Sequence, residues 1–114
     1  MAQVEHFEIP ADDVYRAQAF YADVFGFTFQ KWDDDNFMLH TGGEGGINGD
    51  IHKRKAIAHA TITITVDDVE ATLAAVESAG GERVGKIESM DDKGRYAYFR
   101  DPEGNVIGVY EITG

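Results

Sequence analysis

Apolar and polar side chains alternate from Val4 to Ile9, with Phe7 and Ile9 facing one way and His6 and Glu8 the other. This two-residue period predicts a half-buried strand whose apolar face packs on a helix. Pro10 predicts its end. The period then lengthens: Val14, Ala17, Phe20, Tyr21 and Val24 form one helical stripe, with Asp12 or Asp13 as the cap and Gly26 as the stop. Strands are predicted over Phe27 to Trp32, Phe37 to His40 and about Ile47 to His52, with Asp33 to Asn36 as a turn. Thr41 to Gly46 is too rich in glycine for regular structure. It lacks the following helix and the lysine of a phosphate-binding loop, so it reads as a flexible turn. The second half predicts a strand near Thr61 to Val66, a helix from Asp68 to Ala79, and strands at about Glu82 to Ile87, Tyr96 to Arg100 and Asn105 to Ile112.

The two halves are copies of one unit. His6 to Val14 returns as Thr61 to Val69 at a constant spacing of 55 residues, which sets Ile9 on Ile64, Asp12 on Asp67, Asp13 on Asp68 and Gly26 on Gly81. Gly45 to Gly49 matches Gly104 to Gly108 at a spacing of 59, which predicts four extra residues in the second copy, most simply between Ser89 and Arg95. A fixed internal period means a duplicated structural unit. The expected fold is α+β: two βαβββ modules, about residues 1–55 and 56–114 of a single domain, forming a curved mixed eight-stranded sheet with helices outside and a concave groove inside. A groove between repeated halves is a default place for a ligand.

Composition narrows the classes. With 43% hydrophobic residues in 114, the chain can build a core. It has no cysteine, which removes disulfides, thiolate metal sites and a cysteine nucleophile and fits a cytoplasmic protein. No apolar run is long enough to span a membrane, and no signal peptide is expected from the first residues. The formal net charge of −11 argues against nucleic acid as a partner. It fits solubility, adaptation to high salt, or attraction of cationic ligands. His52-Lys53-Arg54-Lys55 is the basic cluster and reads as a solvated link between the halves.

The chain resembles the vicinal oxygen chelate superfamily, the glyoxalase and bleomycin-resistance fold. The resemblance rests on His6, on Phe20-Tyr21-Ala22-Asp23-Val24-Phe25-Gly26-Phe27, on Val66-Asp67-Asp68-Val69, on Ala79-Gly80-Gly81 and on Phe99-Arg100-Asp101-Pro102-Glu103-Gly104-Asn105. It implies two βαβββ modules, often a homodimer, and in the family's metal enzymes a divalent ion held by His, Glu or Gln at the first and last strand of each module. Carried over residue by residue, those positions are His6, Thr61, Gly49 and Gly108. Three of the four are not ligands, and one imidazole does not hold an ion. Asp50 should face away from the groove, and Glu111 and His52 likewise, so no metal and no other cofactor is expected unless the site has been rearranged. His40 and His59 have no partner pattern.

The expectation is therefore a small-molecule-binding protein of the glyoxalase/bleomycin-resistance type without the usual metal, sequestering an aromatic or cationic compound. His6, Glu8, Thr61 and Thr63 would supply hydrogen bonds, Trp32 and Tyr110 stacking surfaces, and Gly49 and Gly108 open space; Tyr96 and Tyr98 are further aromatic candidates. The alternatives are a metal-dependent lyase, epimerase or dioxygenase with a rearranged site, a metal-free acid–base enzyme using His6 and Glu8, and a partner-binding domain without a small ligand.

Overall fold

The computed structural model describes residues 2–90 and 92–112. By its internal contacts the chain divides into two compact units, His6–Thr61 and a second one from Ile62 onward together with the residues before His6. Each unit holds one module. The elements run β1 (Gln3–Ala11), α1 (Val14–Phe25), β2 (Thr28–Lys31), β3 (Asn36–His40), β4 (Asn48–Lys53), β5 (Thr61–Thr65), α2 (Val69–Ser78), β6 (Glu82–Met90), β7 (Gly94–Arg100) and β8 (Val106–Ile112). The α+β class and the twofold βαβββ succession are those the periodicity predicts. Among the described residues no helix is long and apolar enough to cross a membrane.

In the first unit the strand order is β2-β3-β4-β1. β1 and β4 are parallel, and β3 is antiparallel to both β2 and β4. Phe7, Ile9, Ala11, Phe29, Phe37, Leu39 and Ile51 pack with Val14, Ala17 and Tyr21 of α1. The helix starts where expected: the Asp13 carboxylate accepts from the N–H groups of Tyr15 and Arg16 at 3.1 and 3.0 Å. It ends on Gly26, whose φ of 74° suits a residue without Cβ. Two expectations need correction. β1 runs through Pro10, which pairs in register with His52; a proline is tolerated near a strand end, where one missing N–H costs little. Phe20 and Val24 are each 56% exposed, because the core takes only the narrower Val14, Ala17 and Tyr21 part of the stripe.

The second unit repeats the plan with order β5-β8-β7-β6. β5 and β8 are parallel, and β7 is antiparallel to β8 and to β6. Val69 and Leu73 of α2 are buried against Ala97 and Val109, with Ile64, Val66, Ile87 and Phe99 around them. Asp68 caps α2 through the Ala71 N–H, the same device as in the first copy. Part of the expected insertion is a bulge rather than a longer loop. Between Val84 and Glu88, three residues of β6 oppose one of β7, and Gly85 there has a φ of 73°.

Candidate functional site

Strand alternation divides each unit's sheet into a face under the helix and a face away from it. In the first unit Phe7, Ile9 and Ile51 lie under α1. The register pairs His6 with Asn48, Glu8 with Asp50 and Pro10 with His52. Paired residues of neighbouring strands point to the same side, so His6, Glu8, Asp50 and His52 share the face away from α1. Sequence reasoning set Asp50 and His52 on the wrong side.

The cause is a one-residue slip. Glu8 pairs with Asp50 in the first unit, and its repeat counterpart Thr63 pairs with Gly108 in the second. Asp50, not Gly49, is therefore the structural equivalent of Gly108, and a slip of one residue exchanges the faces of a strand. Gly49 lies on the core side beneath Phe7. A Cβ there would sit 2.3 Å from the Phe7 carbonyl oxygen and 2.6 Å from its ring, so this glycine makes room for Phe7 and not for a ligand.

The cluster is tightly joined. Asp50 Oδ2 lies 2.8 Å from His6 Nε2, and Oδ1 lies 2.8 Å from His52 Nδ1. An ionised carboxylate only accepts, so both of these ring nitrogens carry the proton, and His6 Nδ1 and His52 Nε2 are left as the variable sites. Burial pushes the Asp50 carboxyl up, but the hydrogen bonds and charge of His52 and His6 outweigh it and hold the group below the ordinary carboxylate value. Burial likewise pushes His52 down, and the Asp50 hydrogen bond with the Asp50 and Glu8 charges carries it above the ordinary imidazole value. Glu8 is only 6% exposed. The side chains of His52, Asp50 and His6 are 15%, 23% and 30% exposed, so the cluster is half-buried but reachable. One donor atom from each of Glu8, Asp50 and His52 falls within 4.8 Å of the others.

The remaining expected residues are dispersed. Trp32 follows β2 and is 51% exposed. Thr61 opens β5 at the end of the first unit, and Thr63 is buried on β5 in the second. Gly108 is buried on β8. Tyr110 shares its face, as alternation predicts, and so do Tyr96 and Tyr98 by register. The Tyr96 and Tyr98 rings meet edge to face at 6.0 Å. The Tyr110 hydroxyl donates to the Lys93 carbonyl at 3.1 Å, and Gly94 leaves room for its ring. In each unit, then, the face away from the helix carries chemistry: ionisable in the first, phenolic in the second.

A family model for the Glyoxalase/Bleomycin resistance protein/Dioxygenase superfamily matches residues 3–109. The chain belongs to this superfamily. It is 32% identical to a glyoxylase-like domain-containing protein of Didymella fabae, over 98% of this chain and 95% of the relative. It is 26% identical to the protein YaeR of Escherichia coli K12, over 97% of each. Among solved structures, a superfamily member from Vibrio splendidus superposes with a TM-score of 0.69 at 16% identity, covering 97% of this chain and 99% of that one, a likeness of fold.

The superfamily's four-position metal set does not fit this member. Thr61 is a poor neutral ligand and Gly108 offers no side chain. His6 and, by the corrected register, Asp50 are ligand types, and they are hydrogen-bonded to each other.

Proposed function

We propose that this superfamily member binds a small organic molecule, with a cationic or hydrogen-bonding head group held at His6, Glu8, Asp50 and His52. The observation that carries this reading is the half-buried ionisable cluster on the face of the first sheet away from α1. The partly exposed side chains of Asp50, His52 and His6 offer charge-assisted hydrogen bonds to such a head group. A cluster that keeps Asp50 ionised beside Glu8 favours a cation, as does the net charge of −11. A homodimer belongs to the same reading, with the exposed Phe20, Val24 and Phe25 available to a second copy.

The test is a thermal-shift panel of aromatic amines and quaternary ammonium compounds on the wild type and on Asp50→Asn. Binding to the native state raises the melting midpoint. At least one aromatic cation is expected to raise it in the wild type and to lose most of that effect in Asp50→Asn. A flat response to the whole panel sinks the reading.

A metal-assisted lyase or isomerase is the second reading, favoured by the donor atoms of Glu8, Asp50 and His52. A divalent ion would supply Lewis-acid polarisation of a substrate's neighbouring oxygens. The chain's own part would be to bind and orient that substrate, with the free His6 Nδ1 able to accept a proton. Metal-dependent turnover is its test.

A further inference from the structure

The geometry points to a divalent transition-ion site built wholly within the first module from Glu8, Asp50 and His52, with His6 as an orienting residue and not a ligand. This rests on the second reading above and takes it down to the atoms that hold the ion.

The argument runs from topology to donors. β1 and β4 are adjacent parallel strands, so Glu8 and Asp50 stand side by side, and His52 is the next residue on the same face of β4. Two strands thereby present three donors from positions 8, 50 and 52 without any loop. Those atoms lie within 4.8 Å of one another, a spread that ligands about 2.0–2.3 Å from a common centre can close with small rotamer changes. Two carboxylate oxygens and one imidazole nitrogen suit manganese, cobalt or zinc better than magnesium or calcium, which prefer all-oxygen shells. The open remainder of the coordination shell would face water or a substrate.

His6 has a different role. Its Nε2–H donates to Asp50 Oδ2 at 2.8 Å, which leaves Oδ1 as the oxygen turned toward His52. A donor behind a ligating carboxylate fixes which lone pair is offered and is worth about 10- to 100-fold in metal affinity. The superfamily pattern would make His6 itself a ligand. The two arrangements differ in a measurable way.

The 114-residue chain, stripped with chelator and dialysed, is titrated with Co²⁺ and Zn²⁺ by calorimetry and followed by Co²⁺ ligand-field absorption and by melting midpoint. One ion per chain is expected, together with a rise in midpoint. His52→Gln and Glu8→Gln should abolish stoichiometric binding. His6→Gln should retain one ion with about 10- to 100-fold weaker affinity and an unchanged Co²⁺ spectrum. Far-UV circular dichroism checks folding of each variant; if Glu8→Gln, the most buried change, fails to fold, His52→Gln decides. The site is overturned if no ion binds, if His52→Gln binds as the wild type does, or if His6→Gln loses the ion as completely as His52→Gln. A site that binds as described in a protein without metal-dependent turnover would end the enzyme reading and leave the ion site standing.

Discussion

Glu111 shows how one carboxylate on the helix side of a strand joins three elements. It accepts from the Val69 N–H at the start of α2 at 2.8 Å and from Arg95 of β7 at 2.9 Å. The Arg95 hydrogen bond and then that of Val69 hold its carboxyl below the ordinary value of 4.5, against the opposing effect of burial. A carboxyl depressed in the folded state adds stability above its unfolded value and loses it as pH falls through the folded value. Glu111→Gln should therefore melt below the wild type at pH 7, with the gap closing as pH falls from the ordinary value of 4.5 through the lower folded value. A gap that stays constant from pH 7 to pH 3 would show that the charge contributes nothing. The side of the strand taken by Glu111 follows from its odd offset from Gly108, because alternation along one strand is local. Its partners were not legible: Val69 and Arg95 lie 42 and 16 residues away in sequence.

At the scale of elements, the two helices and eight strands of the described residues follow from period, caps and turns, to within a few residues. The capping aspartates Asp13 and Asp68 are legible because a cap acts on the next two or three N–H groups. The register of β4 is not. A glycine match placed Gly49 on the open face, whereas hydrogen bonding between β1 and β4 sets it against Phe7 on the core side. Gly49→Ala measures that register. A Cβ forced into the Phe7 carbonyl and ring should cost about 1–3 kcal/mol, as overpacked cores do. Gly43→Ala, whose Cβ would meet nothing within 4 Å, should be close to neutral. Urea unfolding compares the two, and equal effects would mean that Gly49 does not lie beneath Phe7.

For the whole molecule, ten basic against twenty-one acidic residues leave a self-repelling surface. Added salt shortens the screening length from about 10 Å at 0.1 M to about 3 Å at 1 M. The melting midpoint should climb over that range; a gain of roughly 1 kcal/mol corresponds to roughly 4 °C for a domain near this size. A midpoint that falls with sodium chloride would mean that ion pairs such as Arg54–Asp12 and Lys31–Asp34 outweigh the repulsion. By itself the sequence determined the duplicated βαβββ plan, the caps, the acidic character and the superfamily, since all of these rest on interactions between residues close in the chain or on a sum over it. Only the tertiary structure decided that Asp50 and His52 join His6 and Glu8. That meeting depends on how β1 and β4, some forty residues apart, align their hydrogen bonds, and one step of that alignment determines which side chains reach the open face.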